Sequence, residues 1–158
     1  MQTHQMPFHI NPKHIADQPI AIVWARFNPE ITQTLHRHAK IALMDQGVQE
    51  KNLIDLNVAG AVELPFAAQQ AITQHQAAAV ITLGCVIRGE TAHFDYVCQM
   101  CAQGIMDVQL KHQCPVTFGV LTTETKAQAM TRANGALGTG ATAALTALEL
   151  LSLTTQPS

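Results

Sequence analysis

The chain reads as an α/β protein, a parallel sheet of four strands with helices on both faces, and three observations predict it. Short apolar runs rich in β-branched residues alternate with helix-period stretches at least four times. The third run, Ala78 to Ile87 (AAVITLGCVI), is almost wholly apolar, as a strand covered on both faces should be. The 158 residues suit one domain, and an apolar fraction of 47% is enough to fill its core.

The elements follow in order. Residues 1–18 are polar, carry Pro7 and Pro12, and lead to Pro19; they are expected to form a flexible N-terminal arm, with a short strand near Phe8 to Ile10. A single domain then spans 19–153, with 154–158 as a tail. Ile20 to Ala25 (IAIVWA) is the first strand. Asn28-Pro29-Glu30 opens a helix: asparagine suits the cap, proline the first helical position and glutamate the dipole. That helix runs to about Gln46, where Gly47 stops it. Leu53 to Val58 is the second strand, and Ala61 to Gln74 the helix after it, with Pro65 in its first turn.

The third strand is followed by the turn Arg88-Gly89-Glu90-Thr91 and a helix over Ala92 to Lys111. Pro115 opens the fourth strand, Val116 to Leu121, and Thr122-Thr123-Glu124 leads into a helix ending near Ala133. The segment from Asn134 to Gly140 breaks it. A last helix covers Ala141 to Leu151, where low charge and small Ala and Thr residues invite close approach of a neighbour. Right-handed crossovers make this a flavodoxin-like three-layer arrangement.

Composition excludes several classes. A net charge of −2 without a basic block points away from nucleic acid. No apolar run is long enough to cross a bilayer, and the first residues lack a secretory core segment, so a cytoplasmic location is expected. Cys98 and Cys101 form a C-x-x-C pair, but within a helical apolar pattern and without a second pair; two small core side chains are the expectation, and no metal site. His36 and His38 fall on a polar helix face and should be solvated. The glycine run from Gly135 to Gly140 follows a helix rather than a strand and lacks a phosphate-loop lysine, so it is not a nucleotide loop.

In open parallel sheets ligands bind beyond the carboxyl ends of the strands, which singles out residues 26–28, 59–63, 86–93 and 122–124. In the third of these, Gly89, Glu90 and Thr91 offer backbone amides and a hydroxyl to an anion at a helix start. His93 lies in the first helical turn, where the positive end favours the neutral, proton-accepting ring. Glu63 at a helix start is either a dipole-complementing residue, contributing about 0.3–1 kcal/mol, or an acceptor for ligand hydroxyls. Phe27 is either core or a plate for a planar ligand. Arg132 is either solvated or helix-capping. Residue chemistry alone stops at a phosphate-competent loop with one candidate base.

Six strings, four of them at these places, carry a resemblance. They are ARFN at Ala25 to Asn28, GAVELP at Gly60 to Pro65 and LGCVIRGETAHFDYV at Leu83 to Val97, then FGVLTTE at Phe118 to Glu124, RA at Arg132-Ala133 and ALTALE at Ala144 to Glu149. Together they resemble the lumazine synthase family over almost the whole chain from Ile20. The resemblance implies pentamers, in some members paired into decamers or assembled into icosahedral shells, with active sites at subunit interfaces. It implies condensation of 5-amino-6-(D-ribitylamino)uracil with 3,4-dihydroxy-2-butanone 4-phosphate, without a cofactor.

Carried over by position, Phe27 stacks on the pyrimidine, Ala61, Val62 and Glu63 hold the ribityl chain, and Cys85, Val86 and Ile87 line the ring. Gly89, Glu90 and Thr91 bind phosphate, and His93 shuttles protons. The neighbouring subunit supplies Phe118 and Arg132. Ala59 replaces a common proline, Val62 a common aromatic, and the Asn134 to Gly140 segment lacks the usual lysines and is one residue shorter. Two alternatives share the fold, an archaeal-type riboflavin synthase and a non-catalytic lumazine- or flavin-binding pentamer; the third string matches lumazine synthase better.

Overall fold

A computed structural model describes residues 7–135 and 137–154. The first six residues of the expected arm, residue 136 of the glycine-rich break and all but residue 154 of the expected tail lie outside the described residues. The strands are β1 (Ile20–Ala25), β2 (Leu53–Val58), β3 (Ala79–Ile87) and β4 (Val116–Thr123), and the helices α1 (Pro29–Asp45), α2 (Leu64–His75), α3 (His93–His112), α4 (Lys126–Asn134) and α5 (Thr139–Thr154). All pairings are parallel and the order is β2-β1-β3-β4. The chain leaves β1 toward β2 and returns to β3 on its other side. The topological switch point therefore lies between β1 and β3, where such sheets open a ligand crevice.

Alternate strand residues feed two cores. Ile20, Ile22, Ile81, Leu83 and Leu121 pack beneath α1, α4 and α5, while Ala21, Val23, Val80, Val116 and Val120 pack beneath α2 and α3. Two glycines set the closest approaches. A Cβ on Gly140 would come within contact of the Leu35 carbonyl on α1, and one on Gly104 would lie 2.6 Å from Pro65 Cγ on α2. Part of α5 is occupied within the chain: Gly140, Ala143, Ala144 and Ala147 are buried against α1 and the sheet, while Thr142 stays exposed.

Several local expectations change. No strand forms at Phe8 to Ile10; a 3-10 turn at Pro12–His14 follows instead. The described part of the arm is tied down, with Ile15 fully buried, the His9 amide donating to Glu149 and the Asn11 amide to Ser152. The helix expected from Ala61 begins as a 3-10 turn over Ala61–Glu63 before α2, and β4 runs two residues longer than expected. Thr125 and Gln128 then cap α4 reciprocally. His36 is not solvated: its ring lies 4.5 Å from that of Trp24, and both bond to Asp55, His36 at 2.5 Å and Trp24 Nε1 at 2.7 Å. A carboxylate on the edge strand draws the ring down. Among the described residues no single helix is long and apolar enough to cross a membrane.

Candidate active site

The site begins where β1 ends. The Arg26 amide donates to Val58 O at 2.8 Å and the Phe27 amide to Ala59 O at 3.1 Å, so the chain stays beside β2 for two residues past the strand. This delivers Phe27 to the sheet end with its ring 71% exposed. A core role is ruled out, and an aromatic face stands open to a planar ligand.

Asn28 does not cap α1 with its side chain. It sits in the left-handed region (φ 57°), which asparagine tolerates, and its carbonyl accepts from the Ile31 and Thr32 amides. The freed side-chain amide crosses the switch point and donates to Cys85 O at 2.9 Å.

The β2 loop closes the other side. Glu63 Oε2 accepts from the Gly60 amide at 3.0 Å, so the dipole-complementing role is realised in part. A Cβ on Gly60 would stand 3.3 Å from that oxygen and 3.7 Å from the Phe27 ring, so the missing side chain lets plate and carboxylate meet.

β3 supplies the floor. Its pairing with β1 ends at Leu83, yet the strand continues to Ile87 against β4. Backbone groups alternate sides along a strand. The Cys85 carbonyl faces β1, as does Ile87 by alternation, while the Arg88 amide turns the other way to Thr123 O. Ile87 therefore presents peptide donor and acceptor to the cleft with no β1 partner. The Cys85 thiol is buried and its pKa pushed up to about 11 by desolvation, which makes it a wall rather than a nucleophile.

Phe27, Asn28, residues 59–63, Cys85, Val86 and Ile87 share one cleft of about 550 Å³ with His93. That is an ordinary size for a small-molecule site. Tyr96, Val97 and Met100 also line it. These three fall outside the segments that the sheet rule picks out, although 93, 96, 97 and 100 follow helical spacing along one face.

His93 opens α3, and its amide donates to the Thr91 hydroxyl at 3.3 Å. Gly89, Glu90 and Thr91 are exposed between Ile87 and His93 but do not themselves line the cleft, and among the described residues their amides have no protein acceptor. Arg88 is bound to Glu124 at 2.7 Å and to Asp95 at 3.3 Å, and lies 4.4 Å from the Phe94 ring centroid. Hydrogen bonding to Glu124 holds its pKa above the ordinary arginine value.

Phe118 and Arg132 are not brought to this cleft. They share a separate depression of about 400 Å³ with Thr131, Thr139 and Thr142, and no residue lines both. Phe118 is 43% exposed on the edge strand β4, and exposed Arg132 has no carboxylate partner among the described residues. The C-x-x-C pair stays structural: Cys101 is buried, with its thiol pushed up to about 12 by desolvation, and Cys98 is half-buried and raised by the same cause.

Comparison with known proteins bears on the same elements. Residues 17–155 match a family model described as 6,7-dimethyl-8-ribityllumazine synthase. A protein of that name from Cytophaga hutchinsonii is 44% identical over 142 residues, covering 89% of each chain. One from Porphyromonas gingivalis is 45% identical over 138 residues (87% of this chain, 86% of the relative), and one from Campylobacter jejuni is 47% identical over 135 residues (85% and 88%). The family model spans every strand and helix of the sheet and the whole lining of the cleft, and with these relatives it places the chain in the 6,7-dimethyl-8-ribityllumazine synthase family.

Proposed function

We propose that the chain condenses 5-amino-6-(D-ribitylamino)uracil with 3,4-dihydroxy-2-butanone 4-phosphate to 6,7-dimethyl-8-ribityllumazine, releasing phosphate and water. The observation that carries this is the cleft at the switch point, where an open aromatic plate, a carboxylate, an unpaired strand edge and a helix-start histidine converge.

Each part has a task. The Phe27 ring takes the pyrimidine face, and the Ile87 backbone reads its polar edge. Glu63 uses one oxygen on Gly60 and offers the other to ribityl hydroxyls beside Ala61 and Val62. Gly89, Glu90 and Thr91 hold the phosphate by amides at the start of α3. The substrate amine attacks the ketone carbon and water leaves as the imine forms. Phosphate is then eliminated, and the second amine closes the ring with loss of another water. His93 moves protons between these steps. Most of the acceleration comes from holding two reactants together.

Phe118 and Arg132 serve the cleft of the next subunit in a cytoplasmic pentamer or multiple of pentamers, Arg132 gripping phosphate through its planar fork. Large apolar side chains left exposed on and beside the cleft, Phe66 (70%) and Tyr96 (65%) among them, suit burial by that neighbour.

One assay tests the proposal. Both substrates are mixed with the protein, without added metal or nucleotide, and the lumazine chromophore is followed; lumazine alone is then supplied and riboflavin sought. Lumazine formation above the spontaneous rate is expected. Riboflavin from lumazine alone, or no acceleration from folded protein, would refute it.

A further inference from the structure

We infer that Arg88 is a positioning residue: its guanidinium clamps the first turn of α3 to the loop after β4, and so sets how the 89–91 amides and His93 face the substrate. Its kinetic consequence rests on the condensation proposed above.

Three contacts converge on this side chain from separate segments. Nε donates to Glu124 at 2.7 Å, Nη1 approaches Asp95 at 3.3 Å, and Cζ lies 4.4 Å from the centroid of the Phe94 ring. The Arg88 amide also donates to Thr123 O at 2.9 Å. Glu124 directly precedes Thr125, which caps α4, while Phe94 and Asp95 directly follow His93 on the first turn of α3. One residue thus ties the end of β3, the start of α3 and the end of β4 together, immediately before the exposed residues 89–91.

The same contacts separate Arg88 from a phosphate ligand's role. Two carboxylates already answer its charge, and Glu90 adds a third acid nearby in sequence. The guanidinium neutralises Asp95 and Glu124 where an anionic substrate must approach. Losing it would both loosen the turn and leave two acids facing the phosphate. Lysine cannot replace it fully: an ammonium is a point charge, whereas the fork meets two acids and lies over the Phe94 ring at once.

The test compares the wild-type oligomer with Arg88→Lys, Arg88→Gln, Glu124→Gln and Arg88→Gln/Glu124→Gln. KM is measured for each substrate, and amide hydrogen exchange for residues 93–97, whose hydrogen-bonded amides include His93 and Asp95, and for β3. For Arg88→Gln, KM for the butanone phosphate should rise roughly tenfold while KM for the pyrimidine stays within about twofold. Exchange at 93–97 should quicken with β3 unchanged. Arg88→Lys should recover part of the loss. Adding Glu124→Gln should cost less than it does alone, because both act through one contact. Unchanged exchange at 93–97 in Arg88→Gln, or a common factor on both KM values, would overturn the inference. If the wild type forms no lumazine, the reaction itself is refuted, and the exchange measurement still decides whether Arg88 holds the turn.

Discussion

Co-assembling two crippled chains should restore about a quarter of the wild-type activity if, as proposed, each complete site needs one subunit's His93 and its neighbour's Arg132. The separation follows from sheet geometry. Phe118 pairs with Thr82 and Leu121 with Cys85, so Phe118 stands three residues, about 10 Å, behind the floor of the cleft. β3 lies between β1 and β4, which adds roughly two strand spacings, about 10 Å, between the ends that carry Phe27 and Phe118. A single pyrimidine cannot touch both rings of one chain.

His93→Ala alone should lose about 10²–10⁴-fold, the usual span for a proton-transfer group, without abolishing turnover. Arg132→Ala alone should lose its grip on phosphate in every site. In an equal random mixture, a site is intact when its cleft comes from the Arg132→Ala chain and its second wall from the His93→Ala chain. The chance is a half times a half, about one quarter. Differently tagged chains are refolded together, mixing is verified by native mass spectrometry, and lumazine formation is compared with the average of the two parents. Mixed oligomers no more active than that average would refute the shared site.

Other outcomes test separate links. Gly140→Ala should destabilise the fold by about 1–3 kcal/mol in urea unfolding: the gain of about 1 kcal/mol in helix propensity is outweighed because the new Cβ meets the α1 backbone at Leu35, which cannot swing aside. A higher urea midpoint would remove the close α1–α5 approach. Arg132→Lys should raise KM for the butanone phosphate and leave that for the pyrimidine nearly unchanged, since an ammonium lacks the two-oxygen fork; equal affinities would remove the electrostatic role.

Stability should also fall with rising pH through the buried thiols. Burial holds Cys85 and Cys114 at about 11 and Cys101 at about 12, against an ordinary value of about 8.5. The unfolded chain therefore loses these protons first, and the stability fully present below about pH 8.5 declines as pH rises toward 11. Thermal melts from pH 7 to 10.5 should show a shallower decline when all three are alanine; identical slopes would refute it.

The order of elements was legible in the sequence because burial on both faces forces continuous apolar strands, and β1 and β2 keep the bounds read from IAIVWA and LIDLNV. Phe27, Glu63 and His93 were legible as candidates because each follows a strand where parallel sheets bind ligands.

What the chain alone could not decide was partnership across strands. Asn28 reads locally as a cap, yet its amide is drawn 57 residues away to Cys85 once β1 and β3 are neighbours. The alanines of α5 give no sign of their partner in sequence, and the fold buries Ala143, Ala144 and Ala147 within the chain. His36 reads as solvated until β2 brings Asp55 beneath it. Arg88 reads as part of a phosphate turn, and only the juxtaposition of α3 with the β4 loop sets two carboxylates on it. Periodicity reports which face of an element is buried; strand order, decided by packing of the whole sheet, determines which residues meet there.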